Sequence, residues 1–541
     1  MVNAIVDILK GICLGFKLSL PHIFHCYVET AIGVVLTLML LYGVNEIIKL
    51  TTIDFPASVC LMLINFGFLL CCVKVLGKKK TNKIVSIIEI PASFSLRWIN
   101  IFFTPSFVTL PLSDKITAKE AFIIAAVFVI GFMVMLAFMA YVCVFLQRLL
   151  GLHKTDYMDN MHARNLQQSE SEKPEGSIDS FSIEENEILP LGSSAVQEVS
   201  ASASASASWE DPIRKSVEML RNSSDNKTEI SHRETLTQYV HSLPDRSKAV
   251  SLFITTYVDW IMYFILFITG IPIYFACDYA LPLHLSIGVL MFFCAMLISP
   301  KWRRFFHPIL VSVSLVLLIY YIFIVIKRDG FMDTLDDYKT GRTYLYLFNT
   351  EEGTTWPGAG DVLTSLMDVA IVSLSLPMFQ YRQDLKKHFF VLLPPILVCS
   401  FGTFFIYPPL CYHIGISSKN SLGFVGRSVT LALGTPLVTA LDGSIPLMAV
   451  CTIVSGILGV LCGDQMLGKY FLRIRPDDYV TRGISLGVNC GAISTAHLLN
   501  TDPRAAAMSS LSFVLFGTIM VILAAITPLA KVIQSWAGLD S

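Results

Sequence analysis

The chain has 541 residues, of which 54% are hydrophobic and 15% are charged, and its 40 basic and 41 acidic side chains give a formal net charge of −1. About a quarter of the residues of a soluble domain are charged, so this composition excludes an ordinary cytosolic enzyme. A nucleic-acid-binding protein needs a surplus of basic residues, which the chain lacks. The charge is unevenly distributed, because residues 151–250 hold 10 basic and 17 acidic side chains, whereas the rest hold 30 and 24.

The hydrophobic residues fall into long continuous stretches. A membrane-spanning helix needs about 20 apolar residues, and these stretches are close to that length. We read eleven of them, at 27–46, 57–76, 84–110, 120–147, 249–276, 283–299, 306–326, 361–379, 389–410, 445–467 and 506–535. The sequence therefore predicts an all-α polytopic membrane protein, with one helical membrane module at residues 1–150 and a second at residues 251–541.

Residues 151–250 separate the two modules. They contain acidic Ser/Glu and Glu/Asn runs and an Ala-Ser repeat from Ala201 to Ser208. So few apolar residues cannot offset the conformational entropy that ordering this segment would cost. The sequence predicts a disordered, acidic, Ser/Ala-rich linker.

Lys and Arg residues concentrate in alternate loops. The loops after the second, fourth, sixth, eighth and tenth stretches together hold 17 basic residues, against 9 in the intervening loops. By the positive-inside rule, the basic loops, the N-terminus and the linker lie on the cytosolic-type side of the membrane. The sequence leaves open whether that membrane is the plasma membrane or an organelle membrane, and whether the chain forms homo-oligomers.

This loop count constrains two shorter, more polar segments. The ninth stretch ends on the outer side and the tenth must begin there, so residues 426–441 must enter and leave the membrane on one face. Residues 483–499 either cross the membrane or dip into it, and their many small and polar residues favour a dip. The second module is therefore predicted to contain broken or re-entrant helices that resemble an inverted repeat.

Both segments combine glycines with hydroxyl and amide side chains, which is typical of an anion site. Irregular backbone at membrane depth is tolerated where it lines a cavity, and the N-termini of broken helices offer free N–H groups to an anion. Small residues also permit close packing of helices, which is the alternative reading. The candidate substrate-binding residues are Arg427, Ser428, Thr430, Thr435, Asn489, Ser494 and Thr495.

Two intramembrane ionisable residues are candidates for coupling transport to an ion gradient. Such groups are costly in a membrane and are usually functional. His497 lies in the second segment and Asp368 lies within the eighth stretch. Either could carry a proton, although the sequence leaves a sodium ion open as well.

No metal, cofactor or catalytic residue is predicted. The thirteen cysteines lie singly in apolar stretches, apart from the adjacent Cys71 and Cys72, and they lack the spacing of metal or redox sites. An intramembrane aspartyl hydrolase would need two aspartates at matching depth. Asp259 and Asp464 are poor candidates, because Asp464 lies near the end of its stretch and the Gly-x-Gly-Asp pattern is absent.

The second module resembles the LrgB/CidB family of membrane proteins. The similar motifs are Arg427–Thr430, Ser455–Gly459, Arg482–Gly487 and Ile493–Ala496. The first module resembles the LrgA/CidA family at Phe55–Val59 and Phe102–Pro105. The order of the two modules in one chain is similar to that of the plastidal glycolate/glycerate translocators of plants.

The resemblance implies a secondary transporter of small organic anions, either 2-hydroxy monocarboxylates such as glycolate and glycerate or pyruvate-like acids. A holin-like pore or regulator of membrane permeability is the alternative that the bacterial members imply. One departure bears on the substrate, since this chain has Gly491 where the family carries a histidine. Either His497 takes over the role of that histidine in binding or coupling, or this chain has lost that role.

Overall fold

The computed structural model describes residues 2–50, 56–112, 117–151, 244–299, 302, 306, 308–328, 330–346, 356–468 and 470–539. Almost all of the predicted linker lies outside these ranges. Its disorder therefore stays a prediction.

Every regular element in the described ranges is a helix, which follows from the long apolar runs of the sequence. A six-residue π-helix, Phe24–Glu29, joins the first two α-helices. In chain order the α-helices are α1 (Val2–Ile23), α2 (Thr30–Lys49), α3 (Ala57–Phe102), α4 (Thr104–Val108), α5 (Ala118–Leu149), α6 (Asp245–Thr256), α7 (Val258–Cys277), α8 (Leu281–Met296), α9 (Pro308–Lys327), α10 (Phe331–Tyr338), α11 (Ala359–Ser373), α12 (Ser375–Gln380), α13 (Arg382–Lys387), α14 (Phe389–Ile414), α15 (Ser418–Gly423), α16 (Leu431–Ala440), α17 (Ile445–Leu467), α18 (Tyr479–Thr501), α19 (Pro503–Ala525) and α20 (Thr527–Trp536).

Nine helical stretches of the described chain are long and apolar enough to cross a membrane. One of them, Ala57–Val108, has 52 residues and covers two predicted stretches. Its backbone breaks at Gly77, where φ is 75°. Large apolar side chains such as Phe122 and Phe390 are 79% and 71% exposed, which suits contact with lipid and not with water. The prediction of an all-α polytopic membrane protein is confirmed.

The helices form two compact units. The first unit comprises Met1–Leu40, Ser86–Thr109 and Gln197–Val369, and the second comprises Leu41–Val85, Leu110–Val196 and Ala370–Ser541. Each unit takes helices from both halves of the chain. The two modules read from the sequence follow chain order instead, and they stay a prediction.

The first unit is held together by small residues and aromatic side chains. Gly11 and Gly15 of α1 lie directly against Ser247 and Ile254 of α6, where a Cβ atom on either glycine would meet its neighbour at under 3 Å. Such close approach of backbones is how membrane helices gain packing energy without a hydrophobic driving force. A buried aromatic group centres on His284, whose ring lies 4.3 Å from that of Tyr320.

The second unit is built around α17. Gly456, Gly459 and Gly463 lie on one face of this helix, and a Cβ atom on each would lie 2.5–2.7 Å from a side chain of α18. The spacing of three and four residues places them in a single row. The glycines therefore let α18 lie close against α17.

Candidate anion-binding site

Residues 418–444 fold as a helical hairpin, which we call hairpin 1. It consists of α15, the 3₁₀ turn Phe424–Gly426, the irregular stretch 427–430 and α16. The N–H of Ser444 donates a 2.8 Å hydrogen bond to the carbonyl of Lys419, so the two ends of the hairpin lie side by side. The chain enters and leaves this region at one place, in the arrangement that the loop count predicts.

Residues 478–504 form a second hairpin, hairpin 2, which is α18 with its flanking residues. The α18 backbone breaks at Gly491, where φ is 60° and ψ is −146°. At its base Arg482 donates a 3.2 Å hydrogen bond to Asp502, and the Arg504 guanidinium lies 3.9 Å from the centre of the Tyr479 ring. The two ends of α18 are therefore adjacent, and the segment dips and returns without crossing.

The two hairpins approach from opposite ends of α17. Ser444, at the base of hairpin 1, caps the N-terminus of α17, whereas Arg482 of hairpin 2 pairs with Asp464 near the C-terminus at 2.7 Å. Near the middle of α17, Thr452 donates hydrogen bonds to two carbonyls of hairpin 1, and the Ser455 hydroxyl donates to the carbonyl of Asn489 in hairpin 2. The hairpin tips therefore meet halfway along a membrane-spanning helix.

Gly491 forms the contact between the tips. A Cβ atom built on it would lie 3.2 Å from Cγ2 of Thr430 and 3.6 Å from the carbonyl oxygen of Ser428. Its positive φ is a conformation that non-glycine residues adopt only under strain. Gly491 thus allows both the reversal of hairpin 2 and the close meeting of the tips.

Arg427 lies at the tip of hairpin 1 and is completely buried. Its Nη2 donates to the carbonyl of Gly131 at 3.2 Å, to Sδ of Met135 at 2.8 Å and to Oδ1 of Asn489 at 3.3 Å. The guanidinium carbon lies 5.0 Å from the centre of the Tyr407 ring. Both Nε and Nη1 are buried without a hydrogen-bond partner.

No carboxylate of the described residues lies within ion-pair distance of Arg427. A buried charge without a counter-ion is unfavourable, because burial removes its hydration, and the three acceptors and the Tyr407 ring replace only part of the lost interaction. Among the described residues, the site therefore carries one positive charge without a counter-ion. The N-termini of α16 and of the second half of α18 add partial positive charge at the same tips.

Unpartnered hydroxyl groups accompany this charge. The side-chain oxygens of Ser428 and Thr430, within four residues of Arg427, are buried and make no hydrogen bond. Ser485, two turns before Gly491 in hairpin 2, has the same property. Buried polar groups are nearly always hydrogen-bonded, so these hydroxyls are the polar groups that a ligand could satisfy.

The other residues named from the sequence are already engaged. Asn489 accepts from Arg427 and donates to the carbonyl of Phe132 at 3.0 Å. Ser494 donates to the carbonyls of Leu486 and Gly491, and Thr495 bonds to Gly491 and Ser509. These hydroxyls hold the reversal of hairpin 2 together.

Three predicted residues are not brought into this cluster. Thr435 is exposed and its hydroxyl donates to the carbonyl of Leu431, one turn back in α16. His497 is half-buried in the returning part of α18. Asp368 belongs to the first unit, where it faces the Tyr344 hydroxyl. The roles assigned to these residues from the sequence stay predictions.

Four residues that the sequence did not single out complete the surroundings of Arg427 and the tips. Tyr407, Gly131 and Met135 contact its guanidinium, and Ser485 carries a free buried hydroxyl. The first three lie in uniformly apolar helices, where no polar pattern marks them. Ser485 could have been found as one more small polar residue in the predicted dip.

The comparisons with known proteins concern this region. Residues 288–529 match the LrgB-like family. The chain carries an LrgB-like domain. The match includes both hairpins and α17 but not α1–α7, so the resemblance of the first half to LrgA/CidA stays a prediction.

Three relatives show how far the similarity reaches. The plastidal glycolate/glycerate translocator 1 of Arabidopsis thaliana is 24% identical over 239 residues, which are 44% of this chain and 44% of the translocator. An uncharacterised protein of Haemophilus influenzae is 24% identical over 46% of this chain and 94% of its own length. The holin-like protein CidB of Staphylococcus epidermidis is 23% identical over 32% of this chain and 71% of its own length. No solved structure is a significant match.

Proposed function

We propose that this protein is a secondary transporter of small organic anions, namely 2-hydroxy monocarboxylates such as glycolate and glycerate, or pyruvate-like acids. The observation that carries the proposal is the buried charge of Arg427, which has no carboxylate partner among the described residues and lies where the two hairpins meet. Hairpins that approach the middle of a membrane from opposite sides are a recurring feature of transporter binding sites. The LrgB-like domain and the name of the Arabidopsis relative support a transporter, at low identity.

The chemistry of the tips suits a monocarboxylate. One guanidinium neutralises one carboxylate, and the hydroxyls of Ser428 and Thr430 can hydrogen-bond to a 2-hydroxyl or 2-keto oxygen of the substrate. A dicarboxylate would place a second, uncompensated negative charge in a buried site. We therefore expect monocarboxylates of two or three carbons to be preferred over dicarboxylates.

The arrangement also suits alternating access. The tips are fully buried, so an anion reaches Arg427 only when one hairpin moves. Because the bases of the two hairpins lie at opposite ends of α17, each hairpin can open the site towards a different side of the membrane. His497 and Asp368 remain the residues that we expect to carry a coupling proton, and uptake with and without a pH gradient tests them.

The test is uptake of labelled glycolate, glycerate, pyruvate and succinate into vesicles that contain the purified full-length chain. We expect saturable uptake of the monocarboxylates and little uptake of succinate. Labelled sucrose serves as the unrelated solute. Absence of saturable flux for all four acids would remove the transporter assignment.

A holin-like pore is the second candidate, because a CidB protein is among the relatives. It predicts that sucrose leaks through the same vesicles at a rate proportional to its concentration. A carrier excludes sucrose, and its uptake of glycolate saturates. The two functions are therefore separated in one experiment.

A further inference from the structure

The helix α5 lies outside the matched LrgB-like residues, yet it contacts the bases of both hairpins. Near its N-terminus, the Glu120 carboxylate accepts hydrogen bonds from the N–H and hydroxyl of Ser417, at 3.0 and 2.7 Å, and from Nδ2 of Asn420 at 2.8 Å. Asn420 belongs to the base of hairpin 1, and Ser417 directly precedes it. The contact fixes one end of α5 to that hairpin.

The other end of α5 is fixed to hairpin 2. The buried Gln147 donates from Nε2 to Asp478 at 3.1 Å and to the Thr481 hydroxyl at 3.1 Å. From Glu120 to Gln147 the helix is about 40 Å long. It therefore runs beside the binding site from the base of one hairpin to the base of the other.

The middle of α5 touches the site itself. The carbonyl of Gly131 and Sδ of Met135 accept from Arg427 Nη2, and the carbonyl of Phe132 accepts from Asn489. Three acceptors, counting Asn489, thus share the two hydrogens of one nitrogen. Both Nε and Nη1 stay unpartnered.

The geometry of a guanidinium limits which of its N–H groups can bind a carboxylate together. A carboxylate bound by two parallel hydrogen bonds must use two neighbouring N–H groups, which are either Nε with Nη2 or Nη1 with Nη2. Nη2 belongs to both pairs. Either pair uses one of the two hydrogens of Nη2, so a carboxylate in two-pronged contact with Arg427 leaves a single Nη2 hydrogen for Gly131, Met135 and Asn489.

We propose that α5 is a latch on the anion site, so that the substrate carboxylate and the Gly131–Met135 turn compete for Nη2 of Arg427. This inference rests on the proposed function. Binding of the anion releases the middle of α5, and loss of the anion restores the contact. The helix from the first half of the chain is thus a positioning element of the site and not only a scaffold.

There is space for such a movement. Four residues of α5 between Met133 and Ala137 line an apolar cavity of about 290 Å³, together with residues at the C-terminal end of α17 and after it. At roughly 100° per residue, these side chains lie on the side of α5 opposite to Gly131 and Met135. This cavity is partly open, and in the proposed latch the middle of α5 moves away from Arg427 towards it.

The test is a pair of buried methionine substitutions in the full-length chain. Met135→Leu removes the thioether acceptor at nearly constant volume, whereas Met139→Leu alters a buried methionine one turn further along the same helix, which makes no hydrogen bond to Arg427 in the described part of the chain. We expect Met135→Leu to bind glycolate about three- to ten-fold more tightly, with a matching fall in KM and little change in kcat. We expect Met139→Leu to resemble the unsubstituted chain.

A cross-link gives the opposite perturbation. In a Glu120→Cys/Asn420→Cys variant, a short bis-maleimide, which alkylates one thiol at each end, would hold α5 against hairpin 1. The Glu120→Cys and Asn420→Cys variants, treated in the same way, are the controls for the native cysteines. We expect weaker glycolate binding in the cross-linked double variant alone. Unchanged or weaker binding in Met135→Leu would overturn the latch even if transport persists. If the unsubstituted chain binds no glycolate, the latch and the transporter fail together.

Discussion

The two hairpins meet tip to tip, but they use their polar groups differently. In hairpin 1, Arg427, Ser428 and Thr430 keep buried polar atoms without partners. In hairpin 2, Ser494 and Thr495 bond to the backbone of their own hairpin and to Ser509. In hairpin 2 only the Ser485 hydroxyl is buried without a partner among the described residues. We infer that hairpin 1 supplies the charge and most of the groups that bind the anion, whereas hairpin 2 supplies mainly a glycine turn that closes over them.

Removing the charge should have the largest effect. Arg427→Gln keeps a polar side chain but loses the cation that balances the carboxylate, and we expect glycolate uptake to fall about 100-fold. The measurement is the initial rate of uptake in vesicles, with the amount of inserted protein determined in parallel. Arg246→Gln, at an exposed arginine of α6, is the matched control and should keep its rate.

The second-largest effect is expected at Gly491, the glycine turn of hairpin 2. Gly491→Ala places a side chain at positive φ and against Thr430, which should cost about 1–3 kcal/mol of stability and lower uptake about ten-fold. Thermal unfolding of the purified chain measures the first effect. Gly67→Ala is the control, because nothing lies within 4 Å of the Cβ atom it adds. Equal effects of the two substitutions would contradict the special role of the turn.

A pair of isosteric substitutions separates binding from folding. Thr430→Val removes an unpartnered hydroxyl, so we expect KM for glycolate to rise about five-fold without loss of thermal stability. Thr495→Val removes a hydroxyl bonded to Gly491 and Ser509, so we expect lower thermal stability, by about 1 kcal/mol, with a smaller change in KM. If both variants change mainly KM, or both change mainly thermal stability, the hairpins do not differ in how they use their hydroxyl groups.

The smallest effect is expected at Thr435. Its hydroxyl bonds to the backbone of its own helix at an exposed position. Thr435→Val should therefore change KM less than about two-fold. It should change the free energy of unfolding by less than about 0.5 kcal/mol. A large rise in KM would bring Thr435 back into the site.

Much of this arrangement could be predicted from the sequence. Apolar runs are long enough to specify membrane helices, and the sorting of basic loops by side required residues 426–441 to enter and leave on one face. The hydrogen bond between Ser444 and Lys419 has that geometry. The dip at residues 483–499 followed from its small residues, and Gly491 supplies the turn.

The surroundings of Arg427 could not be predicted in the same way. They depend on which face of a helix each residue occupies and on main-chain carbonyls that accept hydrogen bonds, and a composition pattern reveals neither. Thr435 follows Thr430 by five positions, which turns it by about 140° around α16 and away from the tip. The acceptors that α5 offers at Gly131 and Phe132 are main-chain carbonyls in an apolar helix. No side chain in that stretch distinguishes them from lipid-facing neighbours.

The most direct test of the central claim, that Arg427 binds a small organic anion between the hairpin tips, is a calorimetric titration of glycolate into the purified full-length chain. We expect one saturable site in the unsubstituted chain, no detectable binding by Arg427→Gln, and no binding of the uncharged analogue glycolamide. Equal affinity of the unsubstituted chain and Arg427→Gln for glycolate would contradict the claim.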